Sequence, residues 1–390
     1  MLHPSRKLLS CILMGSALSV AGCAATDLGT RTAGVKTQDK SSSEASFQFE
    51  SDKIEKKVAK SGARIRDAAL NSYVSGLVDD LSGDYKGELR VYLLEAPVFN
   101  AGIWPNGAMV VYSGLMLRAK SEAEIALVLA HEFGHYYQKH SLEQQVAAKN
   151  ATVGNLIFTV GTLGYGGLFG LLAAYGGLMS FSREQELEAD KVGLKTVGEA
   201  GYDTMSAISL WENLAEEKAA SSIKKVRKRS ARSSIFDTHP ASTERLKKLQ
   251  IDAASWSGTK LEKEKYRNLI RPHLKSWLKA ELGLRDAGST LNIIDRLAKD
   301  GTDLGVLEYS RGRVYDFRGE DGDQELALTH YQNAVKHADA PVETWREIGD
   351  IHNSIGENGK AVKAFQEYLN RAPQAGDAAI IKNMIKTLQG

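Results

Sequence analysis

His131-Glu132-Phe133-Gly134-His135 is the stretch on which the reading of this chain turns. It follows Ser121 and Glu124, spaced as an N-terminal capping box, and the unbroken apolar run Ile125 to Ala130. That context predicts a buried helix with the five residues about two turns in. On such a helix, residues four apart sit about 40° apart around the axis, so the two imidazoles converge on one point. Glu132 is turned by about 100°, toward the place where water on an ion held there would lie. Two neutral imidazoles and a carboxylate leave a fourth position for water, and zinc is the natural occupant of such a set. H-E-x-x-H on a helix therefore points to a zinc peptidase centre, and the alternative is a chance match that would leave Glu132 buried without a partner.

Outward toward the N-terminus, Met1 to Gly22 carries a basic start (Arg6, Lys7), an apolar run from Leu8, and the ending Val20-Ala21-Gly22-Cys23. This predicts a secretory signal over residues 1–22 with a bacterial lipobox, and acylation of Cys23. The competing reading is an ordinary signal with an incidental cysteine. Residues 23–46, rich in Ser, Thr, Ala and Gly, are expected to form a flexible tether. The other cysteine, Cys11, falls in the signal, so neither a disulfide nor a thiolate metal site is expected. A lipid anchor would hold the protein to a membrane without a spanning helix. Ala24, where an aspartate often signals inner-membrane retention, resembles an outer-membrane address and places the chain on the periplasmic face. With 50 basic and 48 acidic residues the chain is almost neutral, which argues against a nucleic-acid partner.

From Ser51 to Leu81, apolar residues at steps of three and four predict amphipathic helix. Leu89 to Leu94 and Ala108 to Tyr112 read as strands joined through Asn100 to Gly107. Two uses stay open for them: an exposed edge that takes an extended substrate by β-augmentation, or a plain structural hairpin. Beyond the motif, Asn150 to Ser182 contains no charged residue and many glycines. A single membrane crossing there would strand later ligands on the far side, so a helical hairpin, buried or lying against the membrane, is expected.

Ser182 and Gln185 form a second capping box, starting a helix with four candidate carboxylates: Glu184, Glu186, Glu188 and Asp190. Glu186 with Asp190, or Glu184 with Glu188, shares a face at four-residue spacing, and spacing alone prefers neither pair. The chain resembles the HtpX- and BepA-like zinc metallopeptidases, related to the CAAX prenyl endopeptidases, in Ser182, Arg183, Glu186, Ala189 and Asp190, the places of their S-R-x-x-E-x-x-A-D motif. Asn100-Ala101, His239-Pro240 and Arg245 match further family positions, and the resemblance covers roughly residues 50 to 250. It implies that His131, His135 and Glu186 hold one Zn2+, that Asp190 orients a ligand from behind, and that Glu132 is the catalytic base. It also implies that His239 lies near the metal, either stabilising the oxyanion with Arg245 or filling the open coordination position at rest; a simple helix cap is the plain alternative. His140, five residues after the second ligand and about 140° round the helix, is expected at the surface. The run Lys224, Lys225, Arg227, Lys228, Arg229 and Arg232 reads as a solvated loop or a contact to anionic headgroups.

Trp345, Ile348, Gly349, His352, Gly356, Ala361, Phe365 and Pro373 resemble the tetratricopeptide spacing, and a 34-residue shift takes Ala361 to Ala327 and Phe365 to Tyr331. The expected architecture is mainly α with α+β character: a helical zincin-type metallopeptidase domain with a small β-sheet at 47–252, a helical connector at 253–303, and tetratricopeptide-like repeats at 304–390. The expected function is a lipid-anchored zinc endopeptidase of the bacterial envelope, cutting misfolded or misassembled proteins. Its expected partners are protein substrates and, through the repeats, outer-membrane assembly machinery. The rivals are a chaperone-like scaffold with latent peptidase activity and, disfavoured for want of several spanning helices, a prenyl-protein protease.

Overall fold

Three short strands stand behind the helix that carries the motif. The computed structural model describes residues 28–34, 42–150, 181–228, 239 and 243–390, and elements are numbered among these. The predicted signal, Cys23, most of the uncharged stretch (151–180), Arg229, Arg232 and Pro240 lie outside the described residues. The chain is mainly helical with one small sheet, as the periodicity predicts.

The strands are β1 (Arg90–Leu94), β2 (Ala101–Ile103) and β3 (Ala108–Tyr112), in the order β1-β3-β2. β1 and β3 run parallel, Tyr92 opposite Val110, so the two expected strands do not form a hairpin with each other. The hairpin is instead β2 with β3, Ala101 opposite Val111, turned at Trp104 to Gly107. Gly107 closes that turn with a φ of 83°, a conformation costly for side chains, and donates its N–H to Trp104 O at 2.9 Å. β2 therefore forms an edge of the sheet, which a pattern of two strands did not reveal.

The helical pattern before the sheet is two helices, α1 (Ser42–Ala59) and α2 (Ala68–Leu81). Between them the backbone pairs with the end of β1: Ile65 N–H donates to Leu93 O at 2.9 Å, and Glu95 N–H donates to Ala63 O at 2.8 Å. After β3 come α3 (Ser113–Arg118), α4 (Glu122–Tyr137) and α5 (His140–Asn150). α4 is buried at every residue from Glu122 to Tyr136, so sequence periodicity could not name its core-facing side. Its N-terminus is capped by Ser121, whose hydroxyl accepts from Glu124 N–H at 3.2 Å. The reciprocal half of the expected box is absent: the Glu124 carboxylate accepts instead from Lys120 N–H and the Ser209 hydroxyl. At the other end, carbonyls left over by the helix are taken by Arg31, through Nε to Tyr136 O and N–H to Tyr137 O, both at 2.8 Å. Arg31 lies in the stretch expected to be a tether, and the Tyr85 hydroxyl donates to its carbonyl.

The remaining helices are α6 (Arg183–Glu199), α7 (Ser206–Ala220), α8 (Lys224–Lys228), α9 (Thr243–Ala253), α10 (Lys263–Ile270), α11 (Leu274–Leu282), α12 (Ala287–Ala298), α13 (Leu304–Arg318), α14 (Asp323–Ala334), α15 (Thr344–Ser354), α16 (Asn358–Arg371) and α17 (Ala378–Gln389). One apolar cluster reaches from Ile65 through α4 to Trp277, Leu297 and Val314, so α10 to α12 pack on the same core as the motif helix. Arg118, buried in α3, is held there by Glu217 of α7 at 2.7 Å and Glu281 of α11 at 2.6 Å, which compensates the charge that burial would otherwise penalise. Farther on, α13 with α14 and α15 with α16 repeat one arrangement. Ala327 and Tyr331 in the first pair, Ala361 and Phe365 in the second, are fully buried at 34-residue spacing. Among the described residues, no helix is long and apolar enough to cross a membrane.

Candidate metal centre

Two helices build the centre, and small residues let them meet. α4 supplies His131, Glu132 and His135; α6 supplies Glu186 and Asp190. The start of α6 is fixed by a complete capping box: Ser182 Oγ accepts from Gln185 N–H at 3.2 Å while Gln185 Oε1 accepts from Ser182 N–H at 3.0 Å. Where the helices cross, a Cβ on Gly134 would sit 2.9 Å from both the Cα and the carbonyl oxygen of Ala189. A Cβ on Gly193 would come within 3.1 Å of His131 N. Backbone thus lies against backbone, close enough for a carboxylate one turn above the crossing to reach both histidines.

The resulting cluster is His131, His135, Glu186 and His239, all buried, with one donor atom from each within 4.8 Å of the others. His131 Nε2 is 3.1 Å from His135 Nε2 and 3.6 Å from Glu186 Oε2, and His135 Nε2 is 3.5 Å from Glu186 Oε1. His239 Nδ1 is 3.2 Å from His131 Nε2 and 2.9 Å from Glu186 Oε1. Its other nitrogen, Nε2, lies 3.3 Å from Glu132 Oε1. That oxygen is buried and has no hydrogen-bond partner among the described residues.

Behind the donors, the partners differ. His131 Nδ1 meets Asp190 Oδ1 at 2.9 Å. Arg245 of α9 grips the same carboxylate twice, Nε to Oδ2 at 2.7 Å and Nη2 to Oδ1 at 2.8 Å, and its Nη1 lies 2.5 Å from Glu186 Oε2. Burial opposes charge on Asp190, yet the Arg245 hydrogen bonds outweigh it and bring the pKa down to about 2. Glu186 is likewise held far below the usual carboxylate range by the surrounding imidazoles, against its own burial. His135 stacks on Phe181, centroids 3.8 Å apart, and its Nδ1 lies 2.9 Å from His140 Nδ1. Burial drives the His135 pKa well below its ordinary value, which keeps the ring in the neutral form that a metal requires.

Of the expected site residues, His131, Glu132, His135, Glu186, Asp190, His239 and Arg245 are brought together, and Cys23 lies outside the described residues. Glu186 with Asp190 is the carboxylate pair at the centre. Glu184 is exposed, and Glu188 faces His140 instead. The expected surface position of His140 is overturned: it is 1% exposed, because the chain folds back after α4 and tucks the ring beneath His135. The packing role of Gly134 and Ala189, both of them motif positions, and the residues Gly193 and Phe181 were not read from the sequence. The first three left a faint mark, small residues four apart on α6 and a glycine inside the motif, whereas Phe181 left none.

The donor set fits one zinc ion. Tetrahedral ligands at about 2.0–2.1 Å from a zinc stand about 3.3 Å from each other, close to the separations among His131, His135 and Glu186. Imidazole nitrogens turned on one another at such distances, inside a buried cluster, need a cation or protons between them, and His135 is held neutral.

Residues 64–252 match the family model described as Peptidase family M48, a family of zinc metalloproteases. The putative beta-barrel assembly-enhancing protease of Vibrio cholerae is 27% identical over 64% of this chain and 52% of its own length. The mitochondrial metalloendopeptidase OMA1 of Schizosaccharomyces pombe is 33% identical over 43% of this chain and 47% of its own. The beta-barrel assembly-enhancing protease of Yersinia pestis is 30% identical over 39% of this chain and 35% of its own. The chain thus spans about half or less of the length of these curated relatives. Two helices locked through Gly134 and Gly193, presenting two imidazoles and a carboxylate with Glu132 beside them, fit the chemistry that this likeness describes: residues 64–252 are a Peptidase family M48 domain, of the zinc metalloendopeptidase class.

Proposed function

We propose that this protein is a lipid-anchored zinc endopeptidase of the bacterial envelope that cuts misfolded or misassembled envelope proteins, those of the outer membrane included. The observation that carries the catalytic part is the cluster of His131, His135 and Glu186 with the buried Glu132 carboxylate beside it, its Oε1 3.3 Å from His239 Nε2. His131, His135 and Glu186 would hold the zinc ion, which would supply activation of a water and polarisation of the peptide carbonyl. Glu132, once His239 Nε2 has left its Oε1, takes the proton of the attacking water and passes it to the leaving amine. Asp190, pinned by Arg245, fixes the ring of His131 through Nδ1. With its guanidinium engaged by Asp190 and Glu186, Arg245 positions ligands rather than reaching for the oxyanion.

His239 is the residue whose place favours a resting state. Its Nδ1 lies among the donor atoms, where a fourth ligand would stand, and its Nε2 faces the base. Substrate must displace it. β2 is the edge strand of the sheet, with Ala101 and Ile103 buried and Ile103 O accepting from Ser141 Oγ at 3.5 Å; an extended segment that paired there would gain affinity with little sequence preference. The envelope address rests on the signal and lipobox pattern together with the beta-barrel assembly-enhancing relatives. The repeated helix pairs after residue 304 are read as a tetratricopeptide-like surface that delivers substrate or meets assembly machinery.

The place of His239 Nδ1 among the donor atoms also favours a second reading, a scaffold whose peptidase is latent. The full chain should digest casein and an unfolded outer-membrane β-barrel protein, stop with chelator, and fail as Glu132→Gln. If Glu132→Gln cells still clear misassembled barrels as wild type does, the scaffold reading replaces the peptidase. His239→Ala should raise basal cleavage; a loss would make His239 part of the chemistry.

A further inference from the structure

The two ligand histidines are backed differently. His131 donates straight to a buried carboxylate, Asp190, whereas among the described residues it is His140, not a carboxylate, that stands at the outer nitrogen of His135. We propose that His140 and Glu188 form a relay that orients His135 as a zinc ligand, making His140 a positioning residue of the metal centre. The inference rests on the zinc reading of the cluster and deepens it.

With His135 Nε2 taken as a zinc ligand, the geometry gives one consistent set of protons. His135 turns Nε2 toward His131 and Glu186, at 3.1 and 3.5 Å, so a ligand lone pair lies there and the proton sits on Nδ1. That N–H points at His140 Nδ1, 2.9 Å away, which must then be an acceptor. The His140 proton is thereby on Nε2, and Nε2 meets Glu188 Oε2 at 3.1 Å. Each link fixes the tautomer of the one before it, the task that a carboxylate performs directly for His131. The backbone is bent to achieve this. Between α4 and α5, Lys139 takes a φ of 59°, a left-handed conformation disfavoured for a lysine, and it turns His140 back under the α4 ligand. His140 is buried, whereas Glu188 is exposed at the outer end, so the relay runs from the centre to solvent.

Zinc affinity of the full chain, measured by competition with a chromophoric chelator, tests this without relying on catalysis. His140→Phe keeps the ring volume and removes the acceptor; it should weaken zinc by about 10- to 100-fold while thermal unfolding of the metal-free chain stays near wild type. His140→Asn returns an oxygen to the Nδ1 position and should recover most of the loss. Glu188→Gln should cost a few-fold, and Glu184→Gln, at an exposed position on the same helix, nothing. Zinc affinity of His140→Phe within about two-fold of wild type overturns the relay. So does an Asn variant no better than Phe, which decides the matter even if Phe perturbs folding. A wild-type chain that binds no zinc overturns the metal reading and the relay with it, and is told apart by the first titration.

Discussion

Glycine brings helices together in two regions of this molecule, to different ends. At the α4–α6 crossing, Gly134 and Gly193 face backbone, Ala189 and His131 respectively. In the C-terminal pairs, Gly312 faces the ring of Tyr331 and Gly349 the ring of Phe365, each within 2.6 Å of where a Cβ would stand. In the repeats a side chain fills the space, so the fit is a matter of core packing and can be relaxed locally. At the metal centre nothing between the helices can move aside, and the separation itself sets how far Glu186 stands from His131 and His135. The same residue type thus serves stability in one region and ligand geometry in the other.

The hardest way to break this contrast is Gly134→Val. A branched side chain against the Ala189 backbone must push α6 away, and the expected result is loss of stoichiometric zinc together with destabilisation of about 3 kcal/mol or more, read by metal analysis and urea unfolding. Retention of zinc would show that the crossing tolerates separation. Phe365→Ala provides the counterpart. Removing a fully buried ring should cost about 3–5 kcal/mol within the α15–α16 pair, seen as faster amide exchange there, with zinc content unchanged. A loss of zinc in this variant would mean that the two regions are one cooperative unit.

A smaller effect, confined to acid, sharpens the role of charge at the start of α4. Glu122 is buried and accepts from Tyr73, Tyr202 and Lys265. Burial opposes its ionisation, but these hydrogen bonds, that from Lys265 foremost, outweigh it and lower the pKa to about 2. An acid depressed in the folded state stabilises above its unfolded pKa, near 4.3, and that contribution is lost as pH falls through about 2. Glu122→Gln should therefore be less stable than wild type near neutrality, with the gap closing between those values. A gap that stays constant over this range in urea-midpoint measurements would refute the assignment.

Much of the centre was legible because its chemistry is local in sequence. H-E-x-x-H needs only a helix to bring two imidazoles together, and Ser182 with Gln185 announced the second helix. Spacing could not choose between Glu186 and Glu188, because each pair shares a face and only the crossing at Gly134 and Gly193 decides which face meets α4. His140 was misread as exposed since its rotation on an ideal helix presumes that α4 continues, whereas the chain breaks at Lys139 and folds back. The sheet was half legible: both predicted strands form, but β2, three residues long, has too little alternation to be seen, and it makes the hairpin. The long helical pattern before the sheet is interrupted where backbone groups of residues 63 to 65 find partners on β1, a tertiary choice that periodicity does not encode.

Zinc content per chain tests the central claim most directly. Full-length wild type and Glu132→Gln should each carry one zinc, and His135→Ala and Glu186→Ala should carry none after the same dialysis. Stoichiometric zinc surviving in Glu186→Ala, or absent from wild type, would contradict a centre assembled from both sides of the α4–α6 crossing.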